Sequence, residues 1–163
     1  MNMAGFNQTP KSILRLIHLP PRILYAIGLG PVVGNVILLL TTIGRKSGKQ
    51  RVTPLQYEEI GGKVYLGAAL GQKTDWVRNI QANPQVELRV GKKRFCGQAE
   101  VVTDPSRMAD FIEVRLQRHP FMIGLIMQKA HGLSKHPSRE QLEKMAVNEA
   151  LVIIRPAERS SWA

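Results

Sequence analysis

The chain has 163 residues, of which 44% are hydrophobic and 21% charged; these values fit one globular domain and exclude a disordered protein. The single cysteine, Cys96, excludes an internal disulfide framework and favours a reducing, cytoplasmic compartment. The 23 lysines and arginines against 12 acidic residues give a formal charge of +11, which indicates nucleic acid, an anionic membrane or a polyanionic small molecule as partner.

Residues 1–27 are predicted to form a basic amphipathic helix region. Thr9 and Pro10 are typical of an N-cap and a first helical position. Four basic residues then recur at spacings of three and four and share one stripe: Lys11, Arg15, His18 and Arg22. The stripe is either the solvated face of a helix packed on the domain or a face that rests on anionic lipid. The uncharged run 23–43 has the length of a membrane span, but its glycines and proline favour a helix end, a loop and a strand.

Residues 36–102 are predicted to form the core of a small antiparallel barrel. Its predicted strands are 36–43, 52–60, 63–69, 86–90 and 93–102. Gly61-Gly62 and Gly91-Lys92 fit two-residue hairpin turns, and tight hairpins require antiparallel pairing. A short helix is predicted over 74–83, between the hairpins. Asp75 and Arg78 are three apart on it and fit a surface pair.

Residues 104–147 are predicted to be helical, and 150–155 to be a final strand. Asp104-Pro105 begins one helix, 121–130 fits a second, and Ser138 with Gln141 fits a capping box that begins a third. The order of elements predicts one domain over 1–163 with an α+β fold. We expect a small antiparallel barrel with an N-terminal helix and with helices packed after the second hairpin.

The segment that best fits ligand chemistry is 44–51, which joins two predicted strands. It combines two glycines and a hydroxyl with four cations: Arg45, Lys46, Lys49 and Arg51. Glycine lets backbone N–H groups approach a ligand, arginine binds phosphate oxygens in a bidentate manner, and lysine adds a mobile charge. The segment is therefore either a phosphate clamp or a connecting loop that happens to be basic, and composition alone leaves both open.

Other polar residues give weaker signals. His119, His131 and His136, with Cys96, lack the spacing of metal ligands, so no metal site is predicted. No nucleophile and base can be paired from spacing, so no catalytic side chain is assigned.

The segment Val36–Gly48, continued by Arg51 and Thr53-Pro54-Leu55, resembles the deazaflavin-dependent nitroreductase family. The resemblance continues through Trp76–Ile80 and Asn83-Pro84 and covers roughly residues 36–102. It implies a split β-barrel like that of FMN-binding reductases, often homodimeric. It also implies the deazaflavin coenzyme F(420), which carries a phosphate and a polyglutamate tail.

Carried over by position, the resemblance implies that Lys46 and Arg51 hold the cofactor phosphate, and that Pro54 and Ala68 line the deazaflavin ring. The implied cofactor-binding set is Arg45, Lys46, Ser47, Gly48, Arg51, Pro54, Ala68, Gly71 and Trp76. For Trp76, a place in the hydrophobic core is the alternative. The chain departs from the family pattern at 70–75, where Thr74-Asp75 stands in place of the usual histidine-proline.

The resemblance and the charge together predict a deazaflavin-dependent oxidoreductase that passes a hydride to a quinone, enone or nitro compound. The alternative is a protein on the same scaffold that carries a flavin, haem or fatty acid without turnover, and FMN is the alternative cofactor. A nucleic-acid module would use the same cations, but aromatic residues make up only 6% of the chain, so stacking platforms are scarce. Peripheral contact of 1–27 with an anionic membrane is a further expectation.

Overall fold

The computed structural model describes residues 37–157, so the helix predicted within 1–27 lies outside the described residues. Within them, strands β1 to β7 span Ile37–Ile43, Gln50–Gln56, Glu58–Ile60, Lys63–Ala68, Gln85–Val90, Lys93–Val102 and Ala150–Pro156. Helices α1 to α4 span Asp75–Ala82, Pro105–Arg118, Pro120–His131 and Arg139–Ala146, and a short 3₁₀ turn covers Gly71–Lys73.

The seven strands form one antiparallel sheet in the order β2-β1-β5-β6-β7-β4-β3. The two strands at its ends, β2 and β3, are separated in the chain by Tyr57 alone. Because consecutive segments of chain lie at opposite ends of the strand order, the sheet must curl until those ends approach one another. The predicted α+β fold with a split antiparallel β-barrel is thereby confirmed.

One predicted strand is two strands in the structure. The segment 52–60 was expected to be continuous, but its first part pairs with β1 and its last part pairs with β4. The change of partner falls at Tyr57, whose side chain packs against the core inside the barrel. A hydrophobic pattern predicts that a segment is extended, but it does not show where the segment changes its pairing partner, and this explains the difference.

Two hydrophobic cores lie on opposite faces of β7. Ala150, Val152 and Ile154 point into the barrel, where they meet residues of the other strands and of α1. Leu151 and Ile153 point outward, against α2, α3 and α4. Because both faces of β7 are covered, its residues 150–154 are all buried, and this accounts for the unbroken apolar run in the sequence.

The ends of the helices follow the signals in the sequence. The Asp104 side chain accepts a hydrogen bond from the Ser106 N–H at 2.9 Å, ahead of α2, with Pro105 at the first helical position. Before α4, Ser138 and Gln141 form the predicted capping box in both directions. None of the helices in the described part of the chain has the length and apolar character required to cross a membrane.

Candidate functional site

The basic segment forms a closed turn between β1 and β2. The Gly44 N–H donates to the Lys49 carbonyl at 2.8 Å, and the Gly48 N–H donates to the Gly44 carbonyl, also at 2.8 Å. Gly48 has a φ of +66°, a conformation that L side chains rarely adopt, so glycine is required to close this turn. The Ser47 hydroxyl accepts from the Lys49 N–H at 3.3 Å, so it stabilises the turn from within.

A cleft of about 700 Å³ is lined by residues of this turn, of the start of β2 and of helix α1. Its lining residues are Gly44, Arg45, Lys46, Ser47, Gln50, Arg51, Val52, Thr53, Asp75, Trp76 and Asn79. Its size is in the range of small-molecule sites, and its wall combines cations with one large aromatic ring.

The structure brings five of the nine predicted site residues together in the cleft: Arg45, Lys46, Ser47, Arg51 and Trp76. Gly48 shapes the turn without lining the cleft. Pro54 lies further along β2, exposed and opposite Leu39 in the ladder. Ala68 is buried in the barrel core opposite Ala150, and Gly71 is buried beside Asn148. The roles that the resemblance implies for Pro54, Ala68 and Gly71 stay predictions.

The Arg45 side chain is directed onto helix α1. Its Nη2 donates to Asp75 Oδ1 at 2.9 Å, and its Nη1 donates to Asn79 Oδ1 at 3.2 Å. The backbone N–H of Arg45 donates to the same Asn79 oxygen, also at 3.2 Å. Asp75 therefore pairs with Arg45 of the turn, whereas Arg78, expected as its partner, donates to the carbonyl of Gln72.

Asn79 links this contact to the interior of the barrel. It is 5% exposed, and its Nδ2 donates to the hydroxyl of Thr42, which is fully buried in β1, at 3.2 Å. Buried polar groups require hydrogen-bond partners, and here the amide and the hydroxyl satisfy one another. A continuous chain of hydrogen bonds thus runs from β1 through α1 to the turn.

The remaining cations of the turn are free within the described part of the chain. Lys46, Lys49 and Arg51 are exposed and form no ion pair with any residue of 37–157. Of these three, Lys46 and Arg51 line the cleft. Asp75, the one carboxylate among the described lining residues, is already paired with Arg45, so no described lining residue compensates the positive charge of Lys46 and Arg51.

Trp76 lies both in the hydrophobic core and in the lining of the cleft, the two alternatives that the sequence left open. The residue is only 8% exposed and belongs to the core inside the barrel, beside Val77 and Ile80. It also forms part of the cleft wall. Trp76 is thus a core residue that also contributes an aromatic side chain to the lining of the cleft.

Sequence reasoning missed Asn79 and the pairing of Asp75 with Arg45. Asp75 and Asn79 are four residues apart on α1, so they share one face, and this spacing was the available signal. Along the chain Arg45 lies 30 residues from Asp75 and 34 from Asn79, and this separation concealed the contacts. Among residues 37–157 no group of histidine, cysteine and carboxylate side chains is arranged to hold a metal ion.

Comparison with known proteins adds evidence independent of the geometry. The chain is 41% identical over 61 residues to the F420H(2)-dependent quinone reductase Rv1261c of Mycobacterium tuberculosis, a stretch that covers 36% of this chain and 41% of that protein. The chain therefore matches less than half the length of this curated relative.

Solved structures support the fold. HutZ, the haem storage protein of Vibrio cholerae, superimposes with a TM-score of 0.52 over 78% of this chain and 87% of that one, at 14% identity. A chain described as a domain-swapped dimer gives 0.51 over 90% of this chain and 99% of that one, at 22% identity. At these identities the likeness concerns the fold alone.

A family model described as F420H(2)-dependent quinone reductase matches residues 27–120. The match includes the basic turn, the cleft and α1, and it extends over more than half of the chain. The chain belongs to this family of F420H(2)-dependent quinone reductases.

Proposed function

We propose that the protein is a reductase that binds the reduced deazaflavin coenzyme and passes a hydride to a quinone. The observation that carries the proposal is the cleft beside the basic turn, where Lys46 and Arg51 lie free of ion pairs with the described residues and Trp76 forms part of the wall. Family membership supports the same cofactor and the same class of acceptor.

The residues of the cleft fit this coenzyme. A phosphate and a carboxylate tail require cations, and Lys46 and Arg51 supply a mobile ammonium and a guanidinium suited to bidentate binding. A planar ring requires a flat apolar surface, and Trp76 supplies one that its core packing holds in place. When bound, the reduced coenzyme supplies the hydride, so the protein has to provide position, charge and a shaped pocket.

Because the coenzyme supplies the hydride, the protein needs few side chains beyond those that bind and orient it. Lys46 and Arg51 would hold the phosphate, and Trp76 would orient the ring. Pro54, on the same strand as Arg51, and Ala68 remain the proposed ring-lining residues, with Gly71 beyond the end of β4.

Titration of the purified protein with coenzyme F(420), followed by its fluorescence, tests the proposal. We expect saturable binding by the wild type. The double substitution Lys46→Ala with Arg51→Ala should weaken binding by at least about a hundredfold, since two charge-assisted contacts of about 1.5–3 kcal/mol each sum to about 3–6 kcal/mol. The matched control is Lys92→Ala with Lys93→Ala, which removes two exposed lysines at the β5–β6 hairpin and should leave affinity unchanged. Equal affinity in all three proteins would count against the basic turn as the binding site.

Turnover distinguishes the reductase from a carrier. Oxidation of the reduced coenzyme should depend on added quinone, and parallel assays with an enone and a nitro compound establish the preferred acceptor. Binding without any turnover would favour the alternative of a non-catalytic carrier. Saturable binding of FMN in preference to the deazaflavin would favour the other cofactor.

A homodimer also remains a proposal. It is supported by the resemblance and by the description of one structural relative as a domain-swapped dimer. Sedimentation equilibrium of the full chain should give twice the monomer mass of 18.2 kDa, and a monomer across the micromolar range would refute it.

A further inference from the structure

We infer that Asn79 is the positioning residue of the basic turn, and that Arg45 serves to fix the turn to helix α1 and does not bind the ligand. This inference rests on the proposed function, because it assigns the ligand's charge to Lys46 and Arg51 alone. It removes Arg45 from the cofactor-binding set that the family resemblance implies.

The hydrogen bonds of Asn79 attach the turn to helix α1 and to the interior of the barrel. A single buried oxygen, Asn79 Oδ1, accepts from both the backbone N–H and the Nη1 of Arg45. The other end of the same amide donates to the buried hydroxyl of Thr42. The amide is thus oriented from the barrel side, and it fixes the main chain at the point where the turn leaves β1. The positions of Lys46 and Arg51 relative to α1 follow from this contact.

The charge of Arg45 is already neutralised within the protein. Its side chain is 24% exposed, and its Nη2 forms an ion pair with Asp75 at 2.9 Å. A ligand anion at this guanidinium would therefore have to compete with the Asp75 carboxylate, which already neutralises its charge. Asp75 occupies one of the positions where this chain departs from the family pattern, so the pairing is a feature of this chain.

The pairing also gives Asp75 a role in specificity. The Asp75 side chain is 83% exposed at the rim of the cleft. Its negative charge would repel an anionic tail if Arg45 did not neutralise it. Arg45 therefore affects ligand binding indirectly, by neutralising Asp75. A single substitution of Arg45 would weaken binding whether the effect is indirect or comes from direct contact, so it cannot distinguish the two.

A double-mutant cycle with coenzyme F(420) separates the two roles. Arg45→Gln leaves Asp75 unneutralised and should weaken binding by about three- to tenfold, with the loss shrinking between about 0.05 and 0.5 M salt as screening increases. Adding Asp75→Asn removes the repulsion, so Arg45→Gln with Asp75→Asn should recover the affinity to within about twofold of the wild type. A double variant as weak as Arg45→Gln alone would show that Arg45 binds the ligand, and would overturn the inference.

Hydrogen exchange of the ligand-free protein tests the positioning role without any cofactor. In Asn79→Ala we expect the N–H groups of Gly44, Arg45 and Gly48 to exchange at least about tenfold faster, since the turn loses its attachment to α1. Asn79→Asp keeps the oxygen acceptor and should retain most of the protection. The matched control is Asn83→Ala, at the other end of α1, which loses a hydrogen bond from the Gln85 N–H and should leave the turn unchanged.

Unchanged exchange in Asn79→Ala would refute the positioning role. Should that variant fail to fold, the cycle at the exposed Arg45–Asp75 pair still decides the role of Arg45. If the wild type does not bind the coenzyme at all, the proposed function fails, while the exchange experiment still decides whether Asn79 positions the turn.

Discussion

Gly71 lies directly against the carbonyl oxygen of Asn148, at a separation that leaves no room for a side chain at position 71. Gly71 also has a φ of +59°, so both its surroundings and its backbone conformation require glycine. The contact joins the 3₁₀ turn after β4 to the segment that enters β7. It offers a packing reason for a glycine at a position that the family resemblance associates with the cofactor.

We expect Gly71→Ala to lower the free energy of unfolding by about 2–4 kcal/mol, the sum of a backbone cost near 1 kcal/mol and the displacement of Asn148. Gly132→Ala is the matched control, because Gly132 has a φ of +65° and no atom of residues 37–157 lies within 4 Å of an added Cβ. It should cost only about 1 kcal/mol. Urea unfolding of both variants measures the difference, and equal losses would show that the contact with Asn148 has no energetic weight.

Glu58 is a buried carboxylate at the centre of a cluster of basic side chains. Its side chain is 7% exposed and lies 3.5 Å from Arg115 Nε, 3.2 Å from Arg118 Nη1 and 3.0 Å from His119 Nε2. Burial lowers the pKa of Arg115, and the charge of Glu58 opposes that shift. The cluster thus attaches the end of α2 to β3.

Removing the carboxylate should therefore destabilise the fold. We expect Glu58→Gln to cost about 3 kcal/mol, because the Arg115 guanidinium stays buried without its counter-charge. The adjacent Glu59→Gln changes an exposed carboxylate and should fall within about 0.5 kcal/mol of the wild type. Chemical denaturation at pH 7 measures both, and a neutral Glu58→Gln would mean that water solvates Arg115.

Glu149 should make stability depend on pH. Burial raises its pKa from 4.5 to about 7, and the Nδ1 of His131 lies 3.8 Å from the Glu149 carboxylate. The folded state then holds a proton that the unfolded chain has released, so stability is complete below about pH 4.5 and falls as the pH rises toward 7. The loss should reach about 3 kcal/mol above pH 7.

Glu149→Gln should remove this loss, so that the free energy of unfolding becomes flatter between about pH 4.5 and 7. The control is Glu140→Gln on the exposed face of α4, which should keep the wild-type slope. A wild-type curve that rises with pH across this window would contradict the assignment, since it would indicate groups whose pKa is lowered by folding.

The sequence predicted those parts of the fold that depend on local chemistry. The capping box at Ser138 and Gln141, the helix begun by Asp104-Pro105, and the two tight hairpins follow from neighbouring residues and are all present. The change of pairing partner at Tyr57 depends on how the whole sheet curls, and no local pattern encodes it. The helix predicted within 1–27 lies outside the described residues.

The sequence was sufficient to predict where the basic residues of the candidate site cluster, but not which residues those cations contact. Basic residues and glycines in 44–51 allowed either a phosphate clamp or a basic connecting loop, and the structure places Lys46 and Arg51 in the lining of a cleft. Arg45 has the same chemistry in the sequence, yet the fold directs it onto Asp75 and Asn79. Which cation is neutralised depends on how far α1 lies from the turn in space, and residue types alone do not specify that distance.

Trp76 offers a direct optical test of the cleft. The chain has two tryptophans, Trp76 and Trp162, and Trp162 lies outside the described residues. A planar ligand against Trp76 would displace water from its indole, so we expect tryptophan emission to change in step with binding of coenzyme F(420). Trp162→Phe should keep this change, whereas Trp76→Phe should lose it while still folding.

Substitutions of different size at position 76 distinguish the contribution of Trp76 to stability from its contribution to ligand binding. Trp76→Ala should lower the free energy of unfolding by about 3–5 kcal/mol, because it opens a cavity beside Val77 and Ile80. Trp76→Phe retains an aromatic ring and should cost less. If Trp76→Phe kept the full emission change, the ligand would lie away from Trp76, and the ring would have to be placed elsewhere along the barrel wall.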